Sequence, residues 1–293
     1  MPSGVVIKAY GGFCYVQVED GSILECVLRG RLRSQGQVLV GDRVTLKPTG
    51  TKTGVVEEVK PRRNCLQRPP VANVDRAVVV FAWRDPRPNP LLLDRILIQV
   101  HAAGVVPLVC FNKADLGGEE AEKLIRIYRE AGYHLLATSA KEGTGLNSLR
   151  EVLQAGVSVL AGPSGVGKST LLNALVPGLA LKTGEVSARI GRGRHTTRHV
   201  ELLPLPGGGW VADTPGFSSL FLPVLVREEL SYFYPEFQQF APGCQFAGCL
   251  HYKEPGCAVK KAVYEDLAIA PLRYENYLKL LAEVIEQEKK KYD

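Results

Sequence analysis

Gly162-Pro-Ser-Gly-Val-Gly167-Lys168-Ser169-Thr170 is the stretch that decides the fold. It satisfies the pattern G-x-x-x-x-G-K-S/T, directly after the apolar run Val157–Ala161 and at the start of the helical stretch Lys168–Val176. A strand, a glycine-rich loop and a helix in that order are the context a phosphate-binding loop requires. The glycines let backbone N–H groups wrap phosphate oxygens, and the helix N-terminus adds its partial positive charge. Gly162, Pro163, Ser164, Gly165, Val166, Gly167, Lys168, Ser169 and Thr170 are therefore candidate nucleotide contacts. Lys168 would reach the β- and γ-phosphates, and the Ser169 hydroxyl would ligate Mg²⁺.

Upstream of this loop the pattern alternates. Arg76–Ala82, Val105–Phe111 and His134–Thr138 read as strands, and Leu91–Ala103, Glu119–Gly132 and Leu146–Leu153 as helices. Such alternation predicts βαβ units around a mostly parallel sheet, which binds its ligand at the C-terminal ends of the strands. Three more loops sit at strand ends. In Asn112-Lys113-Ala114-Asp115 a buried-side carboxylate at Asp115 would accept both guanine N1–H and the exocyclic amine, hydrogen bonds adenine does not offer. That argues against an ATPase. In Ser139-Ala140-Lys141 backbone N–H groups would reach the base oxygen. In Asp213-Thr-Pro-Gly216 the aspartate would hold Mg²⁺ through water, and the Gly216 N–H would meet the γ-phosphate.

These loops resemble those of the translation-factor-related GTPases, in an unusual order. The base-reading loops precede the phosphate loop, and Asp213–Gly216 comes last, as a circular permutation would produce. The basic loop Gly191–Arg198 falls where switch I belongs; Thr196 and Thr197 both qualify as the Mg²⁺ ligand there, with Thr197 preferred. Phe217 stands where many GTPases place a water-positioning glutamine, so unaided hydrolysis should be slow. His195 is the candidate within the chain for that role, with contact to RNA or solvent as the alternative.

Before residue 60 the chain reads as short strands at Gly4–Tyr10, Phe13–Val18, Ser22–Leu28, Val38–Leu46 and Gly54–Val59, without a helix. Five strands of this kind predict a small closed barrel of the oligonucleotide-binding (OB) type, with an SH3-like barrel as the alternative. If Cys14, Val16 and Val18 face inward, Phe13 and Tyr15 lie outside near Lys8 and Arg29, the aromatic-plus-cation composition that stacks bases and meets phosphates, with both as core residues of the other sheet face as the alternative. Residues 1–73 hold eleven Lys/Arg against six Asp/Glu, which places +5 of the chain's +6 there. That asymmetry suggests a polyanionic partner, with ordinary solvated surface charge as the alternative. Lys60–Val74, with three prolines, reads as a linker.

Beyond residue 223 the strands stop. Cys244-x₄-Cys249-x-His251-x₅-Cys257 supplies four soft ligands within fourteen residues, enough for a closed tetrahedral structural zinc site. Helices are expected at Ala262–Ala268 and Tyr274–Glu288. Cys14, Cys26, Cys65 and Cys110 read as packing residues, and His101, His134 and His199 as structural or surface groups. Seven cysteines in a chain of 293 residues predict a reducing compartment, and no apolar run approaches the length of a membrane span, so a cytoplasmic protein is expected.

A barrel, a permuted GTPase and this Cys/His module together resemble the RsgA (YjeQ/YloQ) family, across nearly the whole chain. The stretches 68–75, Gly191–Thr197 and Asp213–Phe217 look especially typical. The resemblance implies three parts: an OB-fold RNA-binding domain over 1–66, a permuted GTPase over 67–222 and a helical zinc-binding domain over 223–293. It also implies GTP hydrolysis stimulated by the 30S ribosomal subunit late in its maturation, with barrel and zinc module on 16S rRNA, Lys168, His195, Thr197 and Gly216 in catalytic roles, and a monomer without DNA or membrane contact. A GTP-dependent RNA-binding switch in which hydrolysis is incidental is the alternative.

Overall fold

The computed structural model describes residues 1–30, 32, 37–67, 69–176, 178–179, 200–217 and 222–292, with 213–217, 291 and 292 described as backbone. Five strands open the chain: β1 (Ser3–Tyr10), β2 (Phe13–Val18), β3 (Ile23–Leu28), β4 (Arg43–Pro48) and β5 (Thr53–Val59). They close in the order β1-β2-β3-β5-β4-β1, with β3 and β5 parallel and the other neighbours antiparallel. This is the OB connectivity. Alternation fills the barrel: Val6, Cys14, Val16, Cys26, Val44, Leu46 and Val56 form its core. The strand expected over Val38–Leu46 begins only at Arg43. Gly41, at φ +89, and Asp42, whose carboxylate accepts from Leu39 N at 2.8 Å, turn the chain just before it.

The expected linker is a built connection rather than a loose one. Residues 65–67 (β6) and 70–72 (β7) pair as a hairpin, with Leu66 and Val71 buried in the core of the next domain. Arg62 grips the fully buried Asp42 through Nε at 2.7 Å and Nη2 at 2.9 Å. Proline spacing signals an extended chain, but it does not reveal what that chain packs against.

The second domain is doubly wound. Strands β8 (Val74–Ala82), β9 (Val106–Asn112), β10 (Leu135–Ala137), β11 (Val157–Ala161), β12 (Glu201–Pro204) and β13 (Trp210–Phe217) lie in the order β10-β9-β8-β11-β13-β12, all parallel except β12. β8 explains why helices cover both faces. Ala77, Val79 and Phe81 pack on one side, against helices α1 (Pro90–Ala102) and α2 (Glu119–Glu130). Val78, Val80 and Ala82 pack on the other, against α3 (Leu146–Leu153) and α4 (Lys168–Leu175). A strand buried on both faces must be apolar there, as Ala77–Ala82 is once the strand has passed the partly exposed Asp75 and Arg76. Asn89 caps α1, its Oδ1 accepting from Leu92 N at 3.0 Å, with Pro90 at the first helical position.

The C-terminal part is helical: a short α5 (Pro235–Gln238), α6 (Ala258–Tyr264) and the long α7 (Pro271–Tyr292). The helix expected over Ala262–Ala268 starts and stops earlier. Cys257 caps its N-terminus, Sγ accepting from Lys260 N, and Leu267 takes φ +52, which an α-helix cannot continue through. Among the described residues no helix is long and apolar enough to cross a membrane.

Candidate functional site

The phosphate loop leaves β11 at the middle of the sheet and runs into α4. Its glycines are demanded by space as well as by torsion. A Cβ on Gly162, at φ +133, would lie 2.1 Å from the Val80 carbonyl oxygen, and one on Gly167, at φ +92, would lie 2.5 Å from Asn112 Nδ2. Lys168 points back over the loop, its Nζ donating to the Gly162 and Pro163 carbonyls at 2.8 and 2.6 Å. Burial lowers its pKa to about 8. The cation therefore predominates at pH 7 and is lost as the pH rises through about 8, while a bound phosphate pulls the proton back on. Nucleotide affinity is expected to weaken between pH 7 and 8.5, by at most about tenfold per pH unit, and Lys168→Arg should remove that slope. Titration with a fluorescent guanosine diphosphate at each pH checks this; equal slopes for wild type and variant would contradict it.

The base-reading loops meet the phosphate loop through one side chain. Asn112, buried at the end of β9, donates from Nδ2 to the Val166 carbonyl at 2.9 Å. Its Oδ1 accepts from the Thr138 hydroxyl at 3.2 Å and from Ala140 N at 3.1 Å. Three loops distant in sequence are thereby tied to one another through this side chain. Lys113 adopts φ +63, and its Nζ donates to the Asp85 carbonyl. Asp115 is exposed on the rim, not turned to the buried side as expected. Ser139 orients it by donating from Oγ to Asp115 Oδ1 at 2.6 Å, and that bond holds the carboxyl below the usual carboxylate range.

The Asp213–Phe217 segment continues β13, paired to β11 and β12 through its backbone. Thr196, Thr197 and His195, with the whole of Gly191–Arg198, lie outside the described residues. Ser169 is the second residue of α4, half-buried at the same rim, and its hydroxyl oxygen suits a hard cation.

The four soft ligands converge. One ligand atom from each of Cys244, Cys249, His251 and Cys257 falls in a group within 4.8 Å of one another. Cys244 Sγ and Cys257 Sγ are 3.9 Å apart, close to the roughly 3.8 Å edge of a tetrahedron built on Zn–S bonds of about 2.3 Å. Burial keeps His251 neutral and ready to ligate, and raises Cys249 to about 12, so the thiols need a metal to shed their protons. Backbone amides already face the sulfurs, His251 N to Cys249 Sγ and Lys260 N to Cys257 Sγ, both at 3.4 Å. The donor set fits zinc.

On the barrel, Phe13 is 44% exposed, and Tyr10 and Tyr15 stack with ring centroids 5.7 Å apart. Lys8 Nζ sits 5.6 Å from the Tyr10 ring. Arg29 instead pairs with Glu57 on the neighbouring strand. Tyr15 also packs against the core of the GTPase sheet, which is the alternative reading of its alternation, while Phe13 stays on the surface.

Sequence reading missed a buried ionic cluster. Arg273 of α7 is 1% exposed, pairs with Asp94 of α1 and Glu236 of α5, and lies over the rings of Tyr128, Tyr133 and Tyr234 at 4.8, 5.4 and 4.5 Å. It clamps the C-terminal helices onto the sheet domain. No local motif announces partners 179 and 37 residues away.

Comparison with known proteins agrees with this architecture. Residues 59–223 match the family described as RsgA GTPase, and residues 3–56 match the RsgA N-terminal domain. A protein of Moorella thermoacetica named small ribosomal subunit biogenesis GTPase RsgA is 52% identical over 287 residues, covering 98% of both chains. One of the same name from Carboxydothermus hydrogenoformans is 47% identical, covering 98% of this chain and 99% of that one. Among solved structures, YjeQ from Thermotoga maritima superposes with TM-score 0.85 at 37% identity, covering 97% of this chain and 98% of that one. YloQ, described as a circularly permuted GTPase, superposes with TM-score 0.84 at 39% identity, covering 98% and 96%.

Proposed function

The chain belongs to the RsgA GTPase family and is a GTPase; from that premise we propose that it acts in late maturation of the small ribosomal subunit. In this reading 30S particles stimulate its hydrolysis of GTP to GDP and phosphate, through contact with 16S rRNA. The observation that carries the reading is the Asn112 bridge, which ties the guanine-reading loops to the phosphate loop. Relatives over nearly the full length, named for small-subunit biogenesis, supply the partner.

The chemistry is positioning and electrostatics. Lys168 and the amides of Gly162–Thr170 meet the charge that grows toward the leaving β-phosphate oxygen. Asp115, held by Ser139, reads the guanine edge, with the Ser139–Lys141 amides toward the base oxygen. The Gly216 N–H meets the γ-phosphate. Mg²⁺, held by Ser169 and by Thr197 or Thr196, would neutralise charge between the β- and γ-phosphates. Contact of Gly191–Arg198 with the ribosomal surface would then position the attacking water, with His195 as the candidate within the chain for that role. Zinc on Cys244, Cys249, His251 and Cys257 would be structural, holding the knuckle that faces RNA. The working division is 1–66, 67–222 and 223–293, in a cytoplasmic monomer.

Phe217, in the position many GTPases give to a glutamine, favours a second reading as a GTP-dependent RNA-binding switch with incidental hydrolysis. Cosedimentation with 30S and 50S subunits under a non-hydrolysable GTP analogue tests the shared part of both. Retention on 30S alone, displaced by rRNA and not by duplex DNA at matched salt, is the expected result. Equal retention on both subunits would overturn the assignment.

A further inference from the structure

The barrel and the GTPase sheet are one continuous surface of strands. β1 pairs with β12, so the sheet runs unbroken from the base-reading edge into the barrel. A register shift between Val6 and Lys8 makes this joint: Val6 faces the barrel core, and Ile7 packs into the GTPase core. An extra residue in a strand re-aims side chains in this way.

One line of residues crosses the joint. Tyr15 of β2 pairs with Lys8 of β1, Lys8 with Glu201 of β12, and Glu201 with Asp213 of β13. Strands lie about 4.8 Å apart, so two steps of roughly that size take the backbone from Lys8 to Asp213. Lys8 Nζ and Glu201 Oε2 are 3.1 Å apart, with side chains 35% and 42% exposed. The far end of the β12–β13 hairpin is pinned separately. Trp210 Nε1 donates to Gln17 Oε1 of β2 at 2.8 Å, and Leu205 N to Gly209 O closes the turn at 3.0 Å. The hairpin is therefore fixed at its closed end. At its open end, where Asp213–Gly216 begins, the backbone pairing to β1 and β11 is supplemented by an ion pair that water already reaches.

We propose that Lys8 and Glu201 are the positioning pair through which an RNA phosphate on the barrel acts on the Asp213–Gly216 loop. The inference rests on the RNA partner proposed above. Lys8 lies beside the Tyr10–Tyr15 stack, where a nucleotide's phosphate would arrive with its base on the aromatic rings. An exposed pair gains little over solvated charges, so a phosphate competes readily for the lysine. Once Lys8 turns to the phosphate, Glu201 loses its partner and faces an anion. β12 then moves at its open end, and the paired backbone of Asp213 moves with it.

The test is GTP turnover by the full-length protein, wild type and Glu201→Gln, with and without 30S subunits. Glu201→Gln removes the restraint and keeps the side chain's shape. We expect its rate without 30S to rise about two- to fivefold at unchanged KM, the range for an exposed ion pair, and its stimulation by 30S to shrink by the same factor. The charge swap Lys8→Glu with Glu201→Lys should restore the low rate without 30S and remain poorly stimulated, which a general loss of folding would not produce. Unchanged Trp210 emission verifies the joint. Wild-type values for Glu201→Gln, or a swap no better than either single change, would overturn the proposal. If 30S fails to stimulate the wild type, the ribosomal reading and the phosphate trigger fall together, while a raised rate in Glu201→Gln still supports the restraint.

Discussion

Asp115→Asn is expected to cost about 10³-fold in kcat/KM for GTP and to create activity toward xanthosine triphosphate. In the proposed reading the carboxylate would accept two donors from guanine, the N1–H and the exocyclic amine. Asparagine offers one acceptor and one donor, so its amide N–H would face the guanine amine, donor against donor. Xanthine carries a carbonyl there and accepts that N–H. Sites built around such bonds reject mismatched ligands by about 10⁴–10⁵ when enclosed, and the smaller figure here follows from the open rim on which Asp115 stands. Ser139 should continue to orient the side chain, because Oδ1 keeps its role as acceptor. Turnover of GTP and XTP by both proteins decides it; a variant that retains its preference for GTP would remove Asp115 from base reading.

The second large effect is loss of metal. Purified chain is expected to carry one zinc, and Cys257→Ser or a strong chelator to lower the melting temperature by about 10 °C, a few kcal/mol for a chain of this size. Complete unfolding is not expected, because the knuckle is not the only tie. Tyr274 OH donates to the His251 carbonyl at 2.7 Å and Tyr277 OH to the Leu250 carbonyl at 2.6 Å. The helix carrying both is clamped to α1 by Arg273 and by the two-pronged Arg95–Glu283 pair at 2.6 and 2.7 Å. Removing the metal should free residues 244–257 and leave α7 docked, so hydrolysis without ribosomes should stay within about twofold. A metal-free preparation with unchanged melting would contradict a structural zinc site.

The sheet domain was legible in the sequence because its signals are local. β8 is apolar over Ala77–Ala82, since each face needs its own core, and the phosphate-loop pattern fits within nine residues between a strand and a helix, although the contacts that demand Gly162 and Gly167 come from Val80 and Asn112 on other strands. The four soft ligands also lie within fourteen residues. What escaped depends on distant partners. Prolines and cations mark Lys60–Val74 as extended chain, whereas the burial of Leu66 and Val71 in the GTPase core and the Arg62–Asp42 pair that fix it need residues from the two domains it joins. Reading a base suggests an enclosed carboxylate at Asp115, whereas Ser139 on another loop supplies the orientation at an exposed rim. Arg273 looked like one more charge on an amphipathic helix, and only the fold brings Asp94 and Glu236 to it. The joint at Ile7 left no mark, because a one-residue shift within an alternating strand has no composition of its own.

The central claim is that the ribosomal small subunit triggers hydrolysis at the site built on Lys168. It is tested most directly by GTP turnover of the wild type and of Lys168→Ala, each with and without purified 30S subunits. Removing one donor to the transition-state charge costs about 10²–10³-fold elsewhere. We predict a slow wild-type rate that 30S raises manyfold, and a variant at least 10²-fold slower under both conditions. A wild-type rate indifferent to 30S, or a variant that 30S still activates, would contradict it.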